Sequence, residues 1–207
     1  MISKLHYISQ GNTVEEQLYN IQKILDNGCN WIQLRYKNSN TKELHTVAEK
    51  TKQLCEQFDA TFIINDKVDL AYQLNADGVH LGLNDMRIKD ARAILGTQKI
   101  IGGTANTFEH IKQRATENCD YIGLGPFRFT KTKENLSPIL GLEGYKTILN
   151  QMEEQQIKIP IIAIGGIELA EIELLLDTAI YGIAVSGLLT HQPKITTTIK
   201  EKLYVNI

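Results

Sequence analysis

The fold this sequence predicts is a closed (β/α)8 barrel, an α/β architecture in which residues 1–207 form one domain. Three observations predict it. Short apolar, β-branched runs recur at eight places, and segments of helical period fill the intervals. Sustained strand–helix alternation requires parallel pairing through crossovers. The even spacing, the count of eight and the absence of an early Gly-rich dinucleotide fingerprint favour the barrel over an open doubly wound sheet, and no composition break suggests a domain boundary. At 207 residues the chain lies at the short end for a barrel.

In order, the predicted strands cover residues 5–8, 31–36, 61–64, 78–81, 100–103, 121–125, 159–164 and 182–185. Amphipathic stretches lie between them, for example 14–27, 41–57 and 143–155. Val14, Leu18, Ile21 and Leu25 fall on one helical face. Thr13 precedes that helix as its N-cap, and Glu16 three residues on predicts a capping box.

Composition excludes several classes of function. Net charge is −2 with no basic run, which argues against a nucleic-acid partner. No stretch approaches the ~18 apolar residues of a spanning helix. Met1-Ile2-Ser3-Lys4-Leu5 lacks the apolar run of a secretory signal, so the expected setting is cytoplasmic. Cys29, Cys55 and Cys119 are widely spaced within apolar segments and read as small buried thiols. His6, His45, His110 and His191 have no partners at metal-ligand spacing, and His80 reads as a hydrogen-bonded residue of the barrel wall.

Barrel chemistry sits at the carboxyl ends of the strands. After strand two, Gln33, Arg35 and Lys37 share one face, opposite the apolar Ile32, Leu34 and Tyr36. That face should line the barrel mouth, where two cations call for an anion; water at a solvated strand end is the simpler alternative. Asn65-Asp66 follows strand three and Asn84-Asp85 follows strand four. Each Asp alone reads as a helix cap, but adjacent strands bring the two carboxylates together, as Mg²⁺ coordination needs. Thr104 follows Gly102-Gly103 after strand five. Thr130-Lys131-Thr132-Lys133, in the loop after strand six, offers hydroxyls and ammoniums to phosphate oxygens. Gly165-Gly166 and Ser186-Gly187 close strands seven and eight, where tight turns and a backbone phosphate site are both open readings. The mouth thus has one zone suited to a diphosphate with Mg²⁺ and another suited to a single phosphate.

Gln33-Leu34-Arg35-Tyr36-Lys37, Asn65-Asp66, Gly78-Val79-His80-Leu81-Gly82, Gly123-Leu124-Gly125-Pro126, Thr130-Lys131-Thr132-Lys133 and Ile164-Gly165-Gly166-Ile167 together resemble the thiamine phosphate synthase family, in register along nearly the whole chain. The resemblance implies a single catalytic barrel, a transferase that joins a pyrimidine diphosphate to a thiazole phosphate (or its carboxylated form) and releases pyrophosphate with Mg²⁺. It implies that Gln33, Arg35, Lys37 and Asn65 hold the pyrimidine diphosphate, with Arg35, Lys37 and Lys133 in the catalytic role of meeting the departing charge. It assigns Asp66 and Asp85 to the metal, and Thr104 to a position near the pyrimidine where the family commonly has serine. Thr130, Thr132, Gly166, Ser186 and Gly187 fall to the thiazole phosphate. Tyr36 stands where an acidic residue is common, Arg128-Phe129 replaces an aromatic–proline pair, and Ser186-Gly187 replaces an apolar residue followed by serine.

The implied chemistry needs no side-chain nucleophile. A thiazole tautomerase of the same superfamily is the nearest rival, but Asp85 and Lys133 would have no task there. A non-catalytic thiazole-phosphate-binding regulator would show an incomplete diphosphate site. An unrelated phosphate-binding isomerase barrel would need an acid/base pair that the sequence does not offer. Partners are the two small-molecule substrates; the oligomeric state stays open, a homo-oligomer included.

Overall fold

The computed structural model describes residues 2–37, 39–129 and 138–204. Eight parallel strands close into a barrel: β1 (Leu5–Ile8), β2 (Trp31–Leu34), β3 (Thr61–Asn65), β4 (Gly78–Leu81), β5 (Ile100–Ala105), β6 (Tyr121–Leu124), β7 (Ile161–Ile164) and β8 (Gly182–Val185). Closure is made by β1 against β8, with Leu5 opposite Ile183 and Tyr7 opposite Val185. The crossover helices are α1 (Val14–Asp26), α2 (Thr41–Gln57), α3 (Val68–Gln73), α4 (Ile88–Leu95), α5 (Phe108–Thr116), α6 (Gly141–Glu154) and α7 (Ile172–Leu176); α8 (Gly187–His191) and α9 (Thr196–Tyr204) follow β8.

Strand alternation divides the apolar residues into two cores. Outward-facing Ile32, Leu34, Phe62, Ile64, Val79 and Ile122 pack beneath the helices. Inward-facing Ile8, Trp31, Ile63, Tyr121, Ile162 and Ala184 fill the barrel. His6 joins this interior by stacking on Trp31, with ring centroids 3.8 Å apart, and Tyr121 meets Trp31 edge-on at 4.9 Å. Such large rings fit only because small residues face them. A Cβ on Gly102 would lie 2.1 Å from the Tyr121 ring, and one on Gly123 would lie 3.0 Å from His80.

Burial pushes the His6 pKa well below its ordinary value, with a smaller contribution from His80, and burial raises that of Tyr121. Both groups are therefore neutral at physiological pH. Cys29, Cys55 and Cys119 are free and buried, as their apolar settings predict.

Local details depart from the sequence reading. β2 ends at Leu34, because the Arg35 amide leaves the ladder and donates to Ser9 Oγ at 2.9 Å. β7 begins at Ile161, just after Pro160, which has no N–H to give. β5 runs on to Ala105, since Thr104 and Ala105 pair with Gly123 and Leu124. At α1 the capping box is displaced by one residue. Thr13 Oγ1 accepts from the Glu16 amide at 3.1 Å, but the Glu16 carboxylate accepts from Asn12 at 2.7 Å.

Candidate active site

The strand ends place most of the expected residues around one mouth. Gln33 is buried, and its Nε2 donates to Asn65 Oδ1 at 2.9 Å, which joins the ends of β2 and β3. An amide pair of this kind leaves each side chain with donor or acceptor capacity for a ligand. Arg35 and Tyr36 lie just past the end of β2. Tyr36 packs against the outer core, and its hydroxyl donates to the Asn12 carbonyl at 3.1 Å. That is the outward direction alternation predicts for it. Lys37 is exposed, and its Nζ stands 3.9 Å from Asp66 Oδ2.

Asp66 takes a left-handed backbone, φ 63, while its amide donates to the His80 carbonyl at 3.0 Å. Asp is among the few residues that adopt this geometry readily. Asp85 folds back over its own turn, with Oδ2 accepting the Gly82 amide at 2.6 Å. The Asp66 and Asp85 carboxyls come within hydrogen-bonding reach of each other. Partial burial, then this contact, raises the Asp66 pKa to about 6 against the opposing pull of Lys37 and Lys67. Two carboxyls held this close favour either a shared proton or a cation.

The donor set fits Mg²⁺, which takes hard oxygen ligands and completes its shell with water and phosphate oxygens. Among the described residues no group of three or more His, Cys, Asp or Glu forms an all-protein cage.

Thr104 sits inside the mouth on β5, and its hydroxyl meets His80 Nε2 at 3.1 Å; His80 Nδ1 meets the Tyr121 hydroxyl at 3.0 Å. His80 thus links the buried barrel interior to a predicted substrate residue. Its position within β4 placed it on the wall as a hydrogen-bonded residue, but its partners come from β5 and β6 and cannot be read from spacing.

Gly165 and Gly166 adopt φ 101 and 68. A Cβ on Gly166 would lie 2.8 Å from the Phe129 carbonyl oxygen, and one on Gly165 would lie 2.7 Å from Pro126. These glycines therefore make a tight turn and also seat the main chain that follows β6. Arg128, in that segment, pairs with Glu168 and Glu171 after β7. It ties two loops together, an arrangement its sequence position alone did not settle. Ser186 precedes Gly187, the first residue of α8, and its carbonyl accepts from the Thr190 amide at 3.0 Å. Thr130, Lys131, Thr132 and Lys133 lie outside the described residues.

Sequence reasoning passed over Gln10 at the end of β1. Its Oε1 is buried without a hydrogen-bond partner and would stand 3.7 Å from a Cβ on Gly187. The inward register of His6 and Ile8 carries on to Gln10, which is the signal that could have found it.

A family model described as thiamine monophosphate synthase matches residues 5–189. A thiamine-phosphate synthase of Flavobacterium psychrophilum is 59% identical over 98% of this chain and 100% of its own. One from Flavobacterium johnsoniae is 57% identical over 100% of this chain and 99% of its own. Among solved structures, a thiamine phosphate pyrophosphorylase from Pyrococcus furiosus superposes with TM-score 0.82 at 30% identity, covering 97% of this chain and 96% of that one.

Proposed function

Because this chain belongs to the thiamine monophosphate synthase family, we propose that it condenses a pyrimidine diphosphate with a thiazole phosphate to give thiamine phosphate and pyrophosphate. The observation that carries the reading within the site is the Asp66–Asp85 pair beside Lys37. Carboxylates and a cation meet there at one strand-end cluster, as a metal-bound diphosphate requires.

Asp66 and Asp85 hold Mg²⁺ in this reading, and the bound ion supplies charge stabilisation to the leaving diphosphate. Gln33 and Asn65 orient the pyrimidine half through the amide groups left over from their mutual bond. Thr104, held by His80, lies close to the pyrimidine. The bond between the pyrimidine methylene carbon and the diphosphate oxygen breaks, and its electron pair leaves with the diphosphate. Arg35, Lys37 and Lys133 meet that developing charge. The thiazole nitrogen then gives its lone pair to the methylene carbon, while Thr130, Thr132, Gly166, Ser186 and Gly187 hold the thiazole phosphate.

The setting is cytoplasmic in this reading; among the described residues no helix is long and apolar enough to cross a membrane. The test supplies both phosphorylated substrates with Mg²⁺ and follows thiamine phosphate by mass spectrometry beside pyrophosphate release. Isomerised thiazole with no coupled product would identify the tautomerase instead. Binding of thiazole phosphate without turnover would identify a regulator.

A further inference from the structure

Arg114 lies on α5, outside the barrel wall, and its side chain is only 4% exposed. An arginine so deeply enclosed is costly unless its donors are met. Here they are met in a particular way. Nη1 donates to Glu117 Oε2 at 2.9 Å, Nη2 to the Gly82 carbonyl at 3.0 Å, and Nε to the Thr104 carbonyl at 3.2 Å. One planar fork thus binds the main chain at the ends of both β4 and β5. Room for it comes from Gly103, where a Cβ would stand 2.9 Å from Arg114 Cδ and Nε. The outer face of this glycine is thus occupied by a guanidinium.

Both anchored residues carry groups of the proposed site. The Gly82 amide donates to Asp85 Oδ2 at 2.6 Å, so the turn that Arg114 holds by its carbonyl is the turn that aims the Asp85 carboxylate. The Thr104 hydroxyl faces His80 at 3.1 Å while its carbonyl faces Arg114. We infer that Arg114 is a positioning residue for the metal and pyrimidine subsites, fixing Asp85 through Gly82 and Thr104 through its own carbonyl from the far side of the barrel wall. The inference rests on the reading that Asp66 and Asp85 hold a divalent ion. Outer partners of metal ligands typically contribute ~10–100-fold to metal affinity.

The experiment measures Mn²⁺ binding by electron paramagnetic resonance, together with steady-state kinetics, for the wild type and the variants Arg114→Met, Arg114→Lys, Glu117→Gln and Asp85→Asn. Circular dichroism checks folding of each. Arg114→Met should bind Mn²⁺ about 10-fold or more weakly and need correspondingly more Mg²⁺ for half-maximal turnover. Its KM for thiazole phosphate should stay within about two-fold of wild type, because that subsite lies elsewhere on the mouth. Arg114→Lys keeps the charge but loses the fork, and should also weaken Mn²⁺ binding; it carries the test if Arg114→Met does not fold. Glu117→Gln leaves the guanidinium on Gly82 and Thr104 and should bind Mn²⁺ as wild type does. Wild-type Mn²⁺ affinity in the folded Arg114 variants overturns the inference. Loss of thiazole phosphate affinity in parallel with metal affinity does so too, since general loosening would then explain both. If the wild type binds no Mn²⁺, or Asp85→Asn binds it unchanged, the metal reading itself fails.

Discussion

Replacing Gly102 with alanine tests whether the aromatic interior of the barrel governs the mouth above it. The added Cβ would lie 2.1 Å from Tyr121 Cζ and 2.4 Å from its hydroxyl oxygen. Ordinary contact begins at 3.4 Å, so the ring would have to retreat by about 1.3 Å. It has no space for that, because Trp31 lies 4.9 Å away edge-on and is itself stacked on His6. Overpacking of this kind costs about 1–3 kcal/mol. Displacing the Tyr121 hydroxyl from His80 Nδ1, now at 3.0 Å, adds about 0.5–1.5 kcal/mol. The total of about 2–4 kcal/mol should lower Tm by roughly 5–15 °C in a domain of this size. Turnover should fall as well, since His80 also holds the Thr104 hydroxyl. Scanning calorimetry and the coupled pyrophosphate assay read the two effects. A variant with unchanged Tm would show that the ring relaxes freely, and a destabilised variant with wild-type kcat would show that His80 does not transmit the disturbance.

Asp66→Ala and Asp85→Ala should each reduce turnover severely while circular dichroism stays native, because both carboxylates lie at the mouth, outside the two cores; full activity in excess chelator would remove the metal role. Asp66 also fixes a pH dependence. Its folded pKa of about 6 lies above its ordinary 3.8, so the folded protein holds this proton more tightly than the unfolded chain. The resulting stability is fully present below the ordinary value and is lost as pH rises through about 6. A divalent ion relieves the ionised pair, so Mg²⁺ should raise Tm more at about pH 8 than at about pH 5; equal shifts at both would refute the linkage. Lys133→Ala should lower kcat by ~10²–10³-fold, with little change in thiazole phosphate affinity and a much smaller effect from Lys131→Ala. Equal losses in the two lysine variants would leave only a basic loop.

The barrel was legible because period and count are properties of the chain itself. Strand limits were less so. Tyr36 keeps the alternation of β2, yet the Arg35 amide turns to Ser9, a partner 26 residues away. The fifth strand was read as ending at Gly103, but the ladder runs on through Thr104 to Ala105. The closeness of Asp66 and Asp85 could be read because consecutive strands are neighbours. Arg114 could not. On a helix of mixed polarity it looks like a solvated cation, and only the register of β4 and β5 brings the Gly82 and Thr104 carbonyls to it. Gly166 was legible as a backbone position without a side chain, but what fills that space is the chain after β6.

The stacked His6–Trp31 pair with Tyr121 across it has a consequence for traffic through the molecule. Among the described residues these rings fill the barrel interior, so the strand-end mouth is the doorway that reactants and products share. Each turnover must empty that doorway before the next pair can enter. The described part of the segment after β6, seated on Gly165 and Gly166, stands at the rim of that doorway.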